Sequence, residues 1–334
     1  MENDDTPDFS PFRNMPIVDS HVHFIHPGRL EEILGIMRTV PFQKLNLVCM
    51  PNPDYTTHNP VALYFKKHHP GTTYISGSLD YSGALADRAG MSALFARQVM
   101  DLKQRGFDGL KLIEGKPNVR RLIGIPLDGP EYEGMWSTLE REAFPVVFHV
   151  GDPEEFWDRE TCPAWACDAG WDYSDPAFPT WEDCHAEAER ILDRHPRLRI
   201  VFAHFNFLSA NLDRATRFLE DHPSVFFDLA PHIDMYRDFS RDPVASRRFF
   251  ERFQDRILYG TDLDTRVLER GADGYRFMLS IPWTIRSFLE RDGAFSLPGK
   301  EEYQGIGLPP AILEKIYRLN FERLYGASPA PLEE

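Results

Sequence analysis

The sequence predicts an α/β protein, a distorted (β/α)8 TIM barrel in one domain, and three observations carry that prediction. Short apolar, β-prone segments alternate with segments of helical period along the whole chain, eight times over. No break in composition divides the 334 residues, a length that suits one large barrel. No strand runs into a glycine-rich dinucleotide fingerprint, so a doubly wound cofactor fold lacks its signature.

Residues 1–14 are polar, carry Pro7 and Pro11, and read as a flexible arm ahead of a domain at 15–334. Strand one is Pro16–Phe24, where Ile17 and Val18 supply the apolar, β-branched start. His21 and His23 stand two apart in it and therefore project from one face. A helix over 28–38 follows from the spacing of Leu30, Ile33, Leu34 and Met37. Strand two, 45–50, is stopped by Pro51 and Pro53. A short helix at 61–68 leads to strand three at 73–79. The long amphipathic helix 88–105 ends at Gly106, as a C-terminal glycine would end it.

Strand four is 107–113, with its helix at 131–143, and strand five is 145–150. An insertion rich in Trp, Pro and Asp, about 152–180, then interrupts the rhythm. A helix at 182–194 precedes strand six, 198–204, and a helix at 209–221 precedes strand seven, 224–229. The helix 244–254 and strand eight, 256–262, complete the alternation, and helices at about 274–291 and 310–324 close the chain.

Charge and composition narrow the function. Lys+Arg 37 against Asp+Glu 52 gives −15, which argues against nucleic acid or an anionic membrane as partner. The opening Met1-Glu2-Asn3-Asp4-Asp5 lacks the basic and apolar regions of a signal peptide, and no apolar run is long enough to span a bilayer. Four cysteines in a chain this long make no disulfide framework. The expected address is the cytoplasm.

In such barrels the chemistry sits where strands end. The polar residues found there are His21 and His23, Lys111 on strand four, His149 on strand five, His204 on strand six and Asp262 on strand eight. Of only twelve histidines, four close apolar strands. Imidazole nitrogens with a carboxylate suit Zn²⁺ or a similar divalent transition ion. Asp19, two residues before His21, reads as a partner for a ligand histidine or as a cap at the base of the barrel.

The set D-S-H-V-H-F, F-H-V-G-D, V-F-A-H-F and L-Y-G-T-D-L resembles the amidohydrolase superfamily, closest to the amidohydrolase 2 branch of aminocarboxymuconate-semialdehyde decarboxylase-like enzymes. The terminal N-F-E-R-L-Y-G resembles that branch's closing helix, so the likeness runs from residue 16 to 326. It implies one divalent metal, Zn²⁺ first and Mn²⁺ second, with His21, His23, His149 and Asp262 as ligands. It also implies His204 beside the metal, orienting or polarising substrate or water, and Asp262 as a general base. A homodimer is plausible by analogy with the branch. A nuclease branch with a similar start and end carries Gly-Glu on strand four and Glu-Thr-Asp before the last loop. This chain has Gly109-Leu110-Lys111-Leu112 and Gly260-Thr261-Asp262 instead.

Three roles are open to Lys111: a carboxylated bridge between two metals, an ammonium facing a substrate carboxylate, or a structural ion pair. Glu114 is close enough to neutralise it or to reach the metal, and Lys116, Arg120 and Arg121 could recognise a carboxylate on a small-molecule substrate. Relatives carry a small residue or glycine after the strand-six histidine; here Phe205 is expected to narrow the pocket. Trp157, Trp165, Trp171 and Trp181 are expected to cover the active site or a neighbouring subunit. Cys162, Cys167 and Cys184, with His185, raise a second zinc site, although their spacing fits no standard zinc module.

The first reading of the reaction is metal-dependent hydrolysis of an amide, ester or lactone. The second is non-oxidative decarboxylation of an unsaturated or aromatic carboxylic acid, or hydration of a related acid. A barrel that binds metal and ligand without turnover is a third, against which the intact ligand set speaks.

Overall fold

The structure, a computed structural model, describes residues 6–52, 54, 56–232 and 234–333. The N-terminal pentapeptide, Pro53 as a stop of the second strand, and Glu334 lie outside them. Nine parallel strands form one sheet: β1 Ile17–His23, β2 Phe42–Val48, β3 Thr73–Gly77, β4 Gly109–Gly115, β5 Val146–Val150, β6 Ile200–Phe202, β7 Val225–Asp228, β8 Ile257–Leu258 and β9 Leu263–Asp264. Their order is β8-β7-β6-β5-β4-β3-β2-β1-β9, with β9 paired to β1. β8 occupies only the start of the expected eighth strand, 256–262, and β9 lies just beyond its end, after Asp262 takes a left-handed backbone at φ 56°. Ser20 N donates to Tyr259 O at 3.0 Å and Asp262 N to His21 O at 2.9 Å, which brings the eighth strand back against the first. The result is the TIM-barrel-like α/β fold that the alternation predicted.

Two apolar layers hold it. Outward residues of the strands meet the helices; Met91–Gln104, for example, buries Met91, Phe95, Val99 and Leu102, the stripe of a surface helix. Inward residues Val18, Tyr74, Val147, Val201, Phe226 and Leu258 form a separate inner core, which Phe321 and Leu324 of the closing helix Asn320–Tyr325 join from the strand-start end. That helix is pinned to β8 by Asn320 Nδ2, which donates to Ile257 O at 2.7 Å and to Gln254 O at 2.8 Å. Because strand side chains alternate, His149 stands on the face of Val147, and Asp228 on the face of Phe226, one layer nearer the strand ends.

The described part of the N-terminal arm is docked rather than loose. Phe9 and Phe12 pack on the core, Trp283 Nε1 donates to Asp8 O at 3.1 Å, and Arg286 Nη2 donates to Arg13 O at 2.6 Å. Its apolar anchors outweigh the polar composition that suggested freedom. A two-stranded antiparallel hairpin, β10 Asp292–Phe295 and β11 Tyr303–Ile306, also lies outside the alternation read from sequence. Among the described residues no helix is long and apolar enough to cross a membrane.

Candidate metal centre

At the C-terminal end of the strands, β1 delivers two buried imidazoles whose ring centroids lie 5.2 Å apart. His21 Nδ1 is 2.8 Å from Asp228 Oδ2 and His23 Nδ1 is 3.0 Å from Val48 O. His204 Nδ1 is 3.1 Å from Ala230 O. Each of these partners accepts, so each Nδ1 carries the proton and each Nε2 keeps a lone pair. His149 is set the other way: its Nε2 meets Gly151 O at 2.9 Å, which leaves the lone pair on Nδ1. Desolvation, then Lys111, holds His21 well below the usual histidine range, and desolvation does the same to His204, so both rings are neutral.

Asp262, 34% exposed, faces these nitrogens, its Oδ1 3.2 Å from His23 Nε2 and 3.4 Å from His21 Nε2. Its pKa is pushed well below the carboxylate range, against burial, by the imidazoles of His23, His21 and His204 in their protonated forms, the part a cation plays once those rings are neutral. With the proton of His23 committed to Val48 O, its Nε2 and the Asp262 carboxylate are two acceptors in contact. A cation is what such a pair requires. Lys111 Nζ, 3.0 Å from His21 Nε2, supplies positive charge on one side, and burial draws its own pKa down to about 8. One ligand atom each from His21, His204 and Asp262 all lie within 4.8 Å of one another. The donor set fits a divalent ion of the Zn²⁺ or Mn²⁺ type.

Over this cluster opens a cavity of about 310 Å³. Phe156, Trp165 and Trp171 from the insertion and Phe207 from the loop after β6 form its apolar wall, with Lys111, His149, His204 and Asp262 on its floor. Lys116 and Arg266 also line it, but each is matched by a carboxylate. Lys116 Nζ contacts both oxygens of Asp152 at 2.6 and 2.5 Å, and Arg266 pairs with Asp264 at 2.5 Å. Asp152 in turn accepts from Tyr173 OH at 2.6 Å and approaches His149 Nε2 at 3.3 Å.

The sequence model of the amidohydrolase family, second branch, matches residues 18–327. The chain belongs to that family. It is thus an enzyme of the metal-dependent amidohydrolase superfamily, on the barrel that this superfamily shares. No curated protein matches the chain by sequence. Among solved structures, an uncharacterised TIM-barrel protein of Bordetella bronchiseptica superposes with TM-score 0.58 at 16% identity, over 93% of this chain and 98% of that one. The 2,6-dihydroxybenzoate decarboxylase of Rhizobium gives 0.52 at 15%, over 93% and 98%. The 5-carboxyvanillate decarboxylase of Novosphingobium aromaticivorans, solved with manganese and 4-hydroxy-3-methoxy-5-nitrobenzoic acid, gives 0.52 at 11%, over 96% and 97%. At these identities the likeness speaks for the fold alone.

Several residues that the sequence singled out in this amidohydrolase stand elsewhere. Glu114 is buried behind the cavity, accepting from Tyr81 OH at 3.0 Å. Arg120 makes a two-point pair with Glu187, at 3.1 and 3.3 Å. Arg121 lies over the Phe178 ring and 3.7 Å from Asp175. Asp19 takes no imidazole; it accepts from Thr261 Oγ1 at 2.5 Å and from the backbone of Thr261 and His21. Phe205 does not narrow the pocket. It is fully buried among Phe227, Phe239 and Phe249, and Phe207, two residues on, lines the cavity instead.

Trp165 and Trp171 reach the cavity, whereas Trp157 Nε1 donates to Pro179 O and Trp181 Nε1 to Asp152 O. Cys184 belongs to the main core while Cys162 lies in a satellite core of the insertion, so no three-cysteine cluster forms. The residue that sequence reading passed over is Asp228, whose only local signal is an aspartate closing the apolar run of β7.

Proposed function

We propose that this enzyme releases carbon dioxide, without oxidation, from a small aromatic or unsaturated carboxylic acid. Lys111 carries the proposal: it is the cavity-lining Lys or Arg, among the described residues, whose hydrogen bond goes to a neutral ring rather than to a carboxylate. It sits under a wall of four aromatic side chains, a place for a flat acid. The decarboxylases among the structural neighbours support the same reading.

His21 and His23 through Nε2, His149 through Nδ1, and Asp262 would hold one divalent ion, with His204 beside it. When bound, such an ion would supply positive charge to the substrate's oxygens and so favour the build-up of negative charge as the carboxyl group leaves. The Lys111 ammonium binds and orients the carboxylate, and the wall of Phe156, Trp165, Trp171 and Phe207 excludes water from the ring face. Asp262, ionised and open to the cavity, takes a proton from a substrate hydroxyl and returns it to the carbon that lost the carboxyl group.

Hydrolysis is the second reading, favoured by the same ionised Asp262, which could take a proton from an attacking water. It stands second because the wall offers aromatic surface where a positioned water needs polar partners. The protein loaded with Zn²⁺ or Mn²⁺ is incubated with a panel of hydroxybenzoates and lactones in water enriched in heavy oxygen. Carbon dioxide release with no heavy oxygen in the organic product is expected. Label in the product with all carbons retained would replace decarboxylation by hydrolysis. Lys111→Met should raise KM roughly 10-fold or more, the loss of one charge-assisted hydrogen bond.

A further inference from the structure

The metal centre uses none of the four cysteines, and the fold brings two of them, Cys162 and Cys167, together. Their Sγ atoms are 3.1 Å apart. Cys162 precedes and Cys167 belongs to the short helix Ala164–Asp168, and Cys167 N donates to Pro163 O at 3.1 Å, which sets the turn between them. Both stand in or against the satellite core of the insertion, with Phe156, Ala166 and Tyr173. Between them in the chain lies Trp165, 43% exposed although it lines the cavity. Its ring meets Phe156 at 5.8 Å and Trp171 at 5.6 Å, both edge-on. The two thiols therefore bracket, in the chain, a half-exposed piece of the cavity wall.

We propose that Cys162 and Cys167 are a reversible redox-modification site: a disulfide between them, made by exchange with a low-molecular-weight disulfide such as oxidised glutathione, that closes a ring around Trp165 and holds it on the cavity wall. Cys167, half-buried, is the thiol that meets the reagent. Its thiolate attacks one sulfur of the reagent and expels the other as a thiolate, leaving a mixed disulfide. The Cys162 thiolate then attacks Cys167 Sγ and expels the second reagent thiolate. The two protons of the cysteines end on two molecules of reduced reagent, and two electrons pass from protein to reagent.

Geometry and chemistry favour this over the alternatives. An S–S bond is about 2.05 Å, so the sulfurs need to approach by about 1 Å, within reach of a short surface helix. Burial, then Cys167, pushes the Cys162 thiol up to about 12, which makes it the second rather than the first to react. The ring encloses four residues, so it restrains the unfolded chain little and remains easy to reduce. A zinc site would need further ligands, and the group among the described residues that could hold a metal is His21, His204 and Asp262.

The test uses the full reduced chain, equilibrated with oxidised glutathione in excess, then denatured and alkylated for intact mass. Alkylatable thiols are expected to fall from four to two, with the loss of two hydrogen masses. Cys184→Ser should keep that loss and Cys167→Ser should abolish it. Quenching of tryptophan fluorescence by acrylamide should fall on oxidation and recover on reduction, and Trp165→Phe should remove the change. Four alkylatable thiols after equilibration, a stable glutathione adduct in place of the ring, a ring that survives in Cys167→Ser, or quenching that ignores oxidation would each overturn the proposal. None of these readouts depends on the reaction proposed above.

Discussion

His21 is clamped at both nitrogens, Nδ1 by Asp228 and Nε2 between Lys111 and Asp262. Asp228 Oδ1 also accepts from His204 N at 2.8 Å and Ala230 N at 3.1 Å, so one carboxylate places two imidazoles. In Asp228→Asn the amide oxygen keeps the backbone bonds and the amide nitrogen faces His21 Nδ1. The ring then turns Nε2–H toward the centre. Metal affinity should fall about 10–100-fold with the fold intact, read by competition with a chelator; unchanged affinity would place His21 outside the ligand set. Glu114 shows the opposite case, a charge with too little support. Burial raises its pKa to about 7 against its Tyr81 hydrogen bond, and Oε2 has no partner. Its folded pKa exceeds its unfolded one, so its favourable contribution is complete below about pH 4 and lost as pH rises through about 7. Glu114→Gln should therefore flatten the stability–pH curve over that window and add about 3 kcal/mol at pH 8, by urea denaturation. Glu114 and Arg120 looked like substrate contacts because their strand-end position is legible. Their true partners, Tyr81 and Glu187, are far away in the chain, and no local pattern announces them.

The loop after β6 is where an element's shape overrides its composition. His204, Phe205, Asn206 and Phe207 run at φ 56°, 56°, 53° and 53°, a left-handed turn built without glycine. Each such residue costs about 1–2 kcal/mol relative to its relaxed backbone. Packing of Phe205 among Phe227, Phe239 and Phe249 offsets it. The backbone after His204 needs left-handed residues, which Phe205 supplies while its ring turns into the core, so the expectation that it narrows the pocket mistook a conformational requirement for a place on the cavity wall. Asn206 is fully buried with both side-chain polar atoms unpartnered. Asn206→Gly removes strain and two orphaned groups together, and should raise stability by about 1–2 kcal/mol. Phe205→Ala should lower it by about 3–5 kcal/mol, leaving a hole in the aromatic cluster but the cavity wall unchanged. Chemical denaturation of the metal-free protein measures both, and a stabilising Phe205→Ala would contradict the offset argued here.

At the scale of the molecule, the barrel gathers His21, His23, His204 and Asp262 from three strand ends to within a few ångströms of one another, with the His149 ring beside His204. Without a cation they repel, so metal should stabilise the whole fold. At a free metal level 100-fold above Kd the gain is about 2.7 kcal/mol, a rise of several degrees in Tm. Dialysis against a chelator should reverse it and added Zn²⁺ or Mn²⁺ restore it; a Tm indifferent to both would remove the ion from the centre. The sequence by itself determined the alternation of strands and helices, the paired histidines of β1 and the placing of imidazoles at strand ends, because periods of two and of about 3.6 residues are local and survive in one dimension. Only the tertiary structure decided which charges are already matched, that Asp228 orients two rings, that Phe205 turns away from the cavity, and that the arm and the insertion dock. Those outcomes depend on partners brought close by folding, and the energies that choose between them exist only once water has been excluded.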